Sequence, residues 1–265
     1  MIGSAFNYSQ KTISLYIHYP FCKRLCPYCD FFKVQYSKDL ERVYIDGLKK
    51  EFEVYNELIL RNYNTATIYV GGGSPSIASP EFFNFLEFLN SKLNLCDKPE
   101  FTIELNPEDI NDNLILRLAN SPINRLSIGV QSLDEDVLKF LSREVNLKTF
   151  KNNFEKLNKI IENISFDILY GFPEKLSENH IKNFSNIKDF NLKHVSLYFL
   201  TIYEGTAFYK RFQEVSHLLN DDEIYKKYLK FIEQLNVLNF KHYEVSNFAK
   251  PGYESQHNLQ YWLFH

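Results

Sequence analysis

An α/β protein built on a parallel sheet is predicted by three features of the 265-residue chain. Short runs rich in Ile, Val, Phe and Tyr recur along it, amphipathic helical patterns lie between them, and polar or glycine-rich residues gather just after the runs. The runs are 13–19, 66–70, 101–105, 125–130, 164–170 and 194–200, with a further candidate at 240–245. Strand followed by helix, repeated in series, gives parallel strands joined by right-handed crossovers. Periodicity leaves a doubly wound sheet and a full or partial barrel both open. Either one places ligands at the carboxyl ends of its strands.

Between the first two runs, Leu40, Val43, Tyr44, Leu48, Phe52 and Tyr55 recur at helical spacing and predict one apolar stripe. Ser79 before Pro80, and Asn106 before Pro107, each read as an N-cap followed by a proline in the first turn. Asn220 with Glu223 reads as a capping box, and Asp222–Lys226 and Glu223–Lys227 are spaced to support the same helix.

Thirty basic against 33 acidic residues leave a net charge of −3, which argues against a general nucleic-acid binder. Four cysteines exclude a disulfide scaffold. Residues 1–10 are polar, without the apolar stretch of an export signal, and no apolar run is long enough to span a bilayer. The expectation is a cytoplasmic protein with reduced thiols and at most peripheral membrane association. Phe (24) and Tyr (18) are abundant alongside Asn, Lys and Ile, so aromatic residues alone carry little weight as site markers.

Three of the four cysteines, Cys22, Cys26 and Cys29, fall directly after the first run with the spacing C-x3-C-x2-C. Three thiolates on one short loop can hold three irons of a [4Fe–4S] cube and leave the fourth iron without a protein ligand. An open iron can take the amino and carboxylate groups of S-adenosylmethionine (SAM). An electron from the cluster could then cleave the C–S bond, chemistry that belongs to the cofactor. The alternative is structural zinc with Cys96 or a histidine as fourth ligand, although zinc loops usually pair one C-x2-C with another and no second pair exists here. Cys96 otherwise reads as an incidental buried thiol.

Gly71-Gly72-Gly73-Ser74-Pro75-Ser76 follows the second run. Consecutive glycines let backbone N–H groups approach a ligand closely. No Lys-Ser/Thr follows, which excludes a phosphate-binding P-loop, and no G-x-G-x-x-G follows the first run. By itself the stretch is a tight strand-to-helix turn. Glu104 ends the third run, where a carboxylate could accept bonds from an ammonium or ribose hydroxyls. Asp167 sits inside an apolar run and points to a site or to a buried partner such as Arg143.

The cysteine loop resembles the signature of the radical SAM superfamily. The flanking Tyr16-Ile-His-Tyr-Pro-Phe-Cys22 resembles a narrower family, the oxygen-independent coproporphyrinogen III oxidases and the HemW heme chaperones, over residues 14–262. The resemblance implies a partial (β/α)6 barrel and one [4Fe–4S] cluster on Cys22, Cys26 and Cys29. It implies SAM contacted by Tyr16, Gly72, Gly73, Ser74 in place of the usual Thr, Glu104, Gln131, Arg143 and Asp167. Chaperone-type members often read Arg-x-His, whereas Arg143 is followed by Glu144 and Val145.

Oxidases of this family carry a fourth cysteine two residues past the third; Phe31 stands there, as in the chaperone branch. Residues 257–262, His-Asn-Leu-Gln-Tyr-Trp, are similar to the chaperones' heme-binding motif. Imidazole is a good axial ligand for heme iron and aromatic rings can cover a porphyrin face, so His257, Asn258, Tyr261 and Trp262 are candidate heme contacts. The resemblance thus implies a heme chaperone that delivers heme to a membrane-associated respiratory protein, served by an electron donor, with homodimerisation linked to cluster and SAM. The alternatives are oxidative decarboxylation of coproporphyrinogen III, which Phe31 disfavours, and a non-catalytic zinc or iron–sulfur protein. Family members continue into a mostly helical C-terminal domain. Residues 1–240 are therefore expected to form the barrel and 241–265 the start of a C-terminal region that is largely absent.

Overall fold

A computed structural model describes residues 12–212 and 221–263. In chain order its strands are β1 (Thr12–Tyr19), β2 (Phe21–Cys22), β3 (Val34–Gln35), β4 (Asn64–Gly72), β5 (Leu95–Leu105), β6 (Arg125–Gln131), β7 (Asn163–Tyr170), β8 (His194–Phe199), β9 (Lys241–His242) and β10 (Asn247–Ala249). Its helices are α1 (Lys38–Leu58), α2 (Pro80–Lys92), α3 (Asp112–Ala119), α4 (Glu135–Phe140), α5 (Leu147–Asn158), α6 (Glu174–Phe184), α7 (Ala207–Phe212), α8 (Asp221–Val237) and α9 (Gln256–Leu263).

The main sheet runs β1-β4-β5-β6-β7-β8-β10-β9, and its first six strands are all parallel. Their order in space is their order in the chain. A doubly wound sheet needs a reversal of strand order, and there is none, so the winding is that of a barrel. β1 and β9 stand at opposite edges without pairing, which leaves the barrel partial. The candidate strand at 240–245 is instead two short strands, with β10 antiparallel to β8 and β9 antiparallel to β10. Residues 241–249 thus join the same sheet as the barrel strands.

The strands alternate through their central stretches. Ile68, Val70, Phe101, Ile103, Leu126 and Ile128 are buried and belong to the main apolar core. Their neighbours Thr67, Tyr69, Thr102, Glu104 and Ser127, with Ser165, Asp167, His194 and Ser196 further round, share the other face and bond across the strands. A period of two puts these polar groups into the barrel interior and the apolar ones under the helices.

Helix α1 departs from the expected stripe: Leu40, Val43 and Tyr55 are exposed, and the buried positions are Glu41, Ile45 and Phe52. Glu41 is 1 % exposed and accepts from Tyr19 Oη (2.7 Å), Tyr36 Oη (3.1 Å) and the Ser79 N–H (2.9 Å). A buried carboxylate is tolerated because donors surround it. Ser79 and Pro80 do begin α2. Asn106 and Pro107 begin only a short 3-10 turn, and α3 starts later, with Asn111 accepting from the Leu114 N–H. Asn220 lies outside the described residues. Lys227 pairs with Glu174 (3.4 Å), a neighbour from α6 rather than from its own helix.

Candidate functional site

The cysteine loop hangs from the end of β1, and its two ends are pinned together. β2 pairs in parallel with β3, the Val34 N–H bonds Pro20 O (2.8 Å), and the Tyr36 N–H bonds Cys22 O (2.9 Å). Lys23 reaches the buried Asp109 (3.0 Å), which also takes the Ser76 hydroxyl (2.7 Å). Cys22 is buried, Cys26 and Cys29 are half-buried, and all three thiols are free. Burial pushes the Cys22 thiol pKa up, and the Ser74 hydroxyl, 3.6 Å from Sγ, pulls it back.

Among the described residues, no three His, Cys, Asp or Glu side chains converge on a single-ion site. A cube assigns each thiolate to a different iron, so this donor set suits a cluster better than one zinc. Cys96 lies near the start of β5, and because that strand bulges against β4 it is separated from Glu104 by about six strand positions, roughly 20 Å, which removes it as a fourth ligand. Both ring nitrogens of His18 are engaged, Nδ1 by Tyr16 Oη (3.2 Å) and Nε2 by Phe32 O (3.0 Å).

The glycine turn is packed too tightly for side chains. A Cβ on Gly72, whose φ is +112°, would lie 2.4 Å from the His18 ring; one on Gly73 would lie 2.7 Å from Phe21 O. The Gly72 N–H donates to Glu104 Oε2 (2.9 Å), and Tyr69 Oη donates to Oε1 (2.9 Å). Burial raises the Glu104 pKa, and these two donors lower it. Each oxygen keeps a further lone pair that can face a ligand.

Gln131 ends β6 at φ +67°, next to a register shift in its pairing with β7. A left-handed glutamine costs about 1 kcal/mol or more and belongs with the bulges that re-aim side chains beside functional sites. Arg143 is buried. Its Nη2 bonds Asn106 Oδ1 (3.2 Å), Glu108 (2.8 Å) and Gly129 O (3.1 Å), while its Nε is buried without a partner. The Tyr28 phenol lies against both Arg143 and Cys26, which joins this arginine to the cysteine loop. Glu144 pairs with Arg24 of the same loop (2.7 Å). The residue at the middle position of the Arg-x-His pattern is thereby tied to the mouth, and the departure from the pattern is Val145, which stands in the histidine's place.

One expectation is corrected here. Asp167 does not pair with Arg143. Its carboxylate takes the Ser127 hydroxyl at 3.0 Å, and burial, with the charge of Glu104, pushes its pKa up to about 7. The cysteine loop, Gly72, Gly73, Ser74, Glu104, Gln131 and Arg143 gather at the mouth, with the exposed Tyr16 on β1 beside them; Asp167 lines the interior next to Glu104.

His257 lies away from the mouth. It is 3 % exposed, seated at the opposite end of the barrel rather than held open to a porphyrin. Nδ1 lies 2.7 Å from Thr67 Oγ1, Nε2 lies 3.5 Å from Tyr261 Oη, and the ring packs on Tyr69 at 5.1 Å. Neither nitrogen is open to iron in this conformation. Asn258 is half-buried and donates its N–H to Ser255 Oγ (3.3 Å), and Tyr261 and Trp262 are exposed.

Pattern reading missed three residues. Asn106, read as a cap, donates to Ser74 Oγ (2.7 Å) and links it to Arg143. Tyr69 carries no motif within the run 66–70, yet its hydroxyl donates to Glu104. Glu100 carried no motif, yet its buried carboxylate accepts from the N–H groups of Gln256 (2.9 Å) and His257 (3.0 Å) and from Ser255 Oγ (3.4 Å), with Arg125 Nε 3.8 Å away. An acid at the N-terminus of α9 is favourable on charge as well as bonding grounds. The signal available was an acid inside a strand.

Comparison with known proteins concerns the family and the fold. The Radical SAM superfamily matches residues 16–185. The heme chaperone HemW of Lactococcus lactis is 36% identical over 256 residues, 96% of this chain and 66% of the relative. That of Haemophilus influenzae is 30% identical over 260 residues, 95% of this chain and 67% of the relative. The chain thus spans about two thirds of the length of these relatives. The structure of the Escherichia coli coproporphyrinogen III oxidase HemN, a radical SAM enzyme, matches with a TM-score of 0.82 at 21% identity. That match covers 96% of this chain and 58% of HemN and concerns the fold alone.

Proposed function

The chain belongs to the radical SAM superfamily and to its HemW family, and on that premise we propose that it is a heme chaperone that binds heme and passes it to an acceptor protein. Cys22, Cys26 and Cys29 would hold a [4Fe–4S] cluster. Gly72, Gly73, Ser74, Glu104, Gln131, Arg143, Asp167 and Tyr16 would hold SAM around it. When bound, these cofactors supply one-electron cleavage of the SAM C–S bond. The protein's own part is to exclude side chains from the glycine turn, to offer Glu104 to hydroxyl or ammonium donors, and to keep Arg143 beside the loop.

Phe31 carries the choice of chaperone over oxidase. It occupies the place of the oxidase's fourth cysteine and is 72 % exposed, so no thiol is offered there. Heme capture falls to His257 with Asn258, Tyr261 and Trp262, and requires the imidazole to leave its seat. The acceptor would be a membrane-associated respiratory protein, the electron donor a separate protein, and a homodimer the assembled form, all in the cytoplasm. No described helix is long and apolar enough to cross a membrane.

Hemin titration of wild type and His257→Ala tests the ligand: the heme absorption band should shift or weaken in the variant, and identical spectra would remove the assignment. Incubation of hemin-loaded protein with an apo-cytochrome should transfer the heme. Conversion of coproporphyrinogen III to protoporphyrinogen under reducing anaerobic conditions would instead make the protein an oxidase.

A further inference from the structure

Four rings form a chain of contacts that runs from the edge strand β1 across β4 to α9 at the base. Tyr16 and Tyr69 stack with centroids 6.0 Å apart, Tyr69 and His257 lie 5.1 Å apart at 32°, and His257 meets Tyr261 edge-on at 5.5 Å. Tyr69 is the member that also bonds a mouth residue, through its hydroxyl to Glu104 Oε1 (2.9 Å). One side chain therefore touches both the carboxylate proposed to receive SAM and the imidazole proposed to receive heme. The backbone explains this reach: Thr67, Tyr69 and Gly71 alternate onto the interior face of β4, so Thr67 holds His257 while Tyr69 spans the distance to Glu104.

We propose that Tyr69 is a positioning residue that makes the seating of His257 depend on what Glu104 binds. The reading rests on heme capture by His257 as set out above. Oε1 already takes the Tyr69 hydroxyl, so a hydroxyl or ammonium donor that arrives at that oxygen shares it and weakens the bond from Tyr69. A tyrosine that gives up this bond is free to turn, and its ring face no longer supports the imidazole. His257 is then held by Thr67 and by the bonds from α9 to Glu100, and it leaves its seat more often. A nitrogen becomes available to iron in proportion to the unseated fraction. Linkage makes the effect reciprocal: heme held on His257 favours the state in which Glu104 is free for SAM, by the same factor.

The test uses the full chain with its cluster reconstituted, and Tyr69→Phe, which keeps the ring and removes the hydroxyl. In wild type, saturating SAM should lower the hemin Kd by about fivefold or more, within the range of ordinary coupling between sites. In Tyr69→Phe the ratio should fall to about one, while hemin and SAM each still bind. Amide hydrogen exchange over residues 256–263 supplies a readout that needs no heme: SAM should speed exchange there in wild type and leave it unchanged in Tyr69→Phe. Wild-type coupling retained in Tyr69→Phe overturns the proposal, as does exchange at 256–263 that ignores SAM in wild type. Identical hemin spectra for wild type and His257→Ala would show the heme-ligand reading to be wrong, and the exchange measurement would still decide whether Tyr69 links the two ends.

Discussion

The two ends of the barrel are built from the same strands and differ in what they leave unmet. At the mouth there are three free thiols, a carboxylate with spare lone pairs, a buried arginine whose Nε has no partner, and a glycine turn packed against backbone and the His18 ring. At the base, Glu100 accepts three bonds from one end of α9, and both nitrogens of His257 lie near protein oxygens. Buried atoms without a bond occur at both ends, Arg143 Nε at the mouth and Thr65 Oγ1, Arg125 Nε and Gln260 Nε2 at the base, so what marks the mouth as a ligand site is the three free thiols beside a carboxylate with room for further donors. The base is a closure, and the residues that looked like an open heme ligand are part of it. The comparison separates where a cofactor fits now from where a ligand fits only after a movement.

The largest effect should come from the thiols. Replacing Cys26 by Ser should abolish the cluster, read as loss of the broad visible absorption and of iron and sulfide from reconstituted protein. A full cluster in the variant would mean the loop is not its home. Next comes the ion pair at the base. Glu100→Gln removes one partner of a buried pair and leaves Arg125 uncompensated, which typically costs about 3–5 kcal/mol. Denaturant unfolding should show that loss, and a near-neutral result would mean that α9 contributes nothing to the barrel's stability.

Gly72→Ala should cost about 1–3 kcal/mol, because the residue needs a positive φ and its new methyl meets the His18 ring. SAM titration should weaken with it, whereas a tight, stable variant would contradict the close-packed turn. The pH effect is more local. Burial, and then the charge of Arg125, push the His257 pKa down to about 4 from its ordinary 6.5. The displaced imidazole takes up a proton that the seated one refuses, so the seat is at full strength above pH 6.5. It weakens as pH falls through that value toward 4. Glu100, Arg125, Tyr69 and Tyr261 are the charged or titratable groups that surround it. Intrinsically corrected amide exchange at 256–263 should rise over that window in wild type and lose this dependence in His257→Gln. The smallest effect belongs to Glu144→Ala. Its ion pair with Arg24 is solvent-exposed, and such pairs contribute about 0–1 kcal/mol.

Much of the mouth was legible because its signals are contiguous. The spacing of Cys22, Cys26 and Cys29 and the run 71–76 are local patterns, and the register of parallel strands brings them to one end without further information. The barrel itself was legible in part. Phe101-Thr102-Ile103-Glu104-Leu105 and Ile164-Ser165-Phe166-Asp167-Ile168 alternate apolar with polar, which favours a polar interior over a flat sheet covered by helices on both faces. Read as apolar runs, they left that choice open. The base was not legible, because its bonds join residues far apart in sequence. Glu100 meets His257 and Thr67 meets the same residue only after six strands have been laid down in order. The α1 stripe failed for a related reason: Glu41 scores as polar, and only its three donors make it a buried position.

Anaerobic reconstitution with iron and sulfide, followed by reduction and electron paramagnetic resonance with and without SAM, tests the mouth most directly. The expected result is a [4Fe–4S] signal that changes on adding SAM in wild type and is absent when Cys22, Cys26 and Cys29 are replaced by Ser. Stoichiometric zinc with no cluster, or a cluster signal indifferent to SAM, would contradict the account.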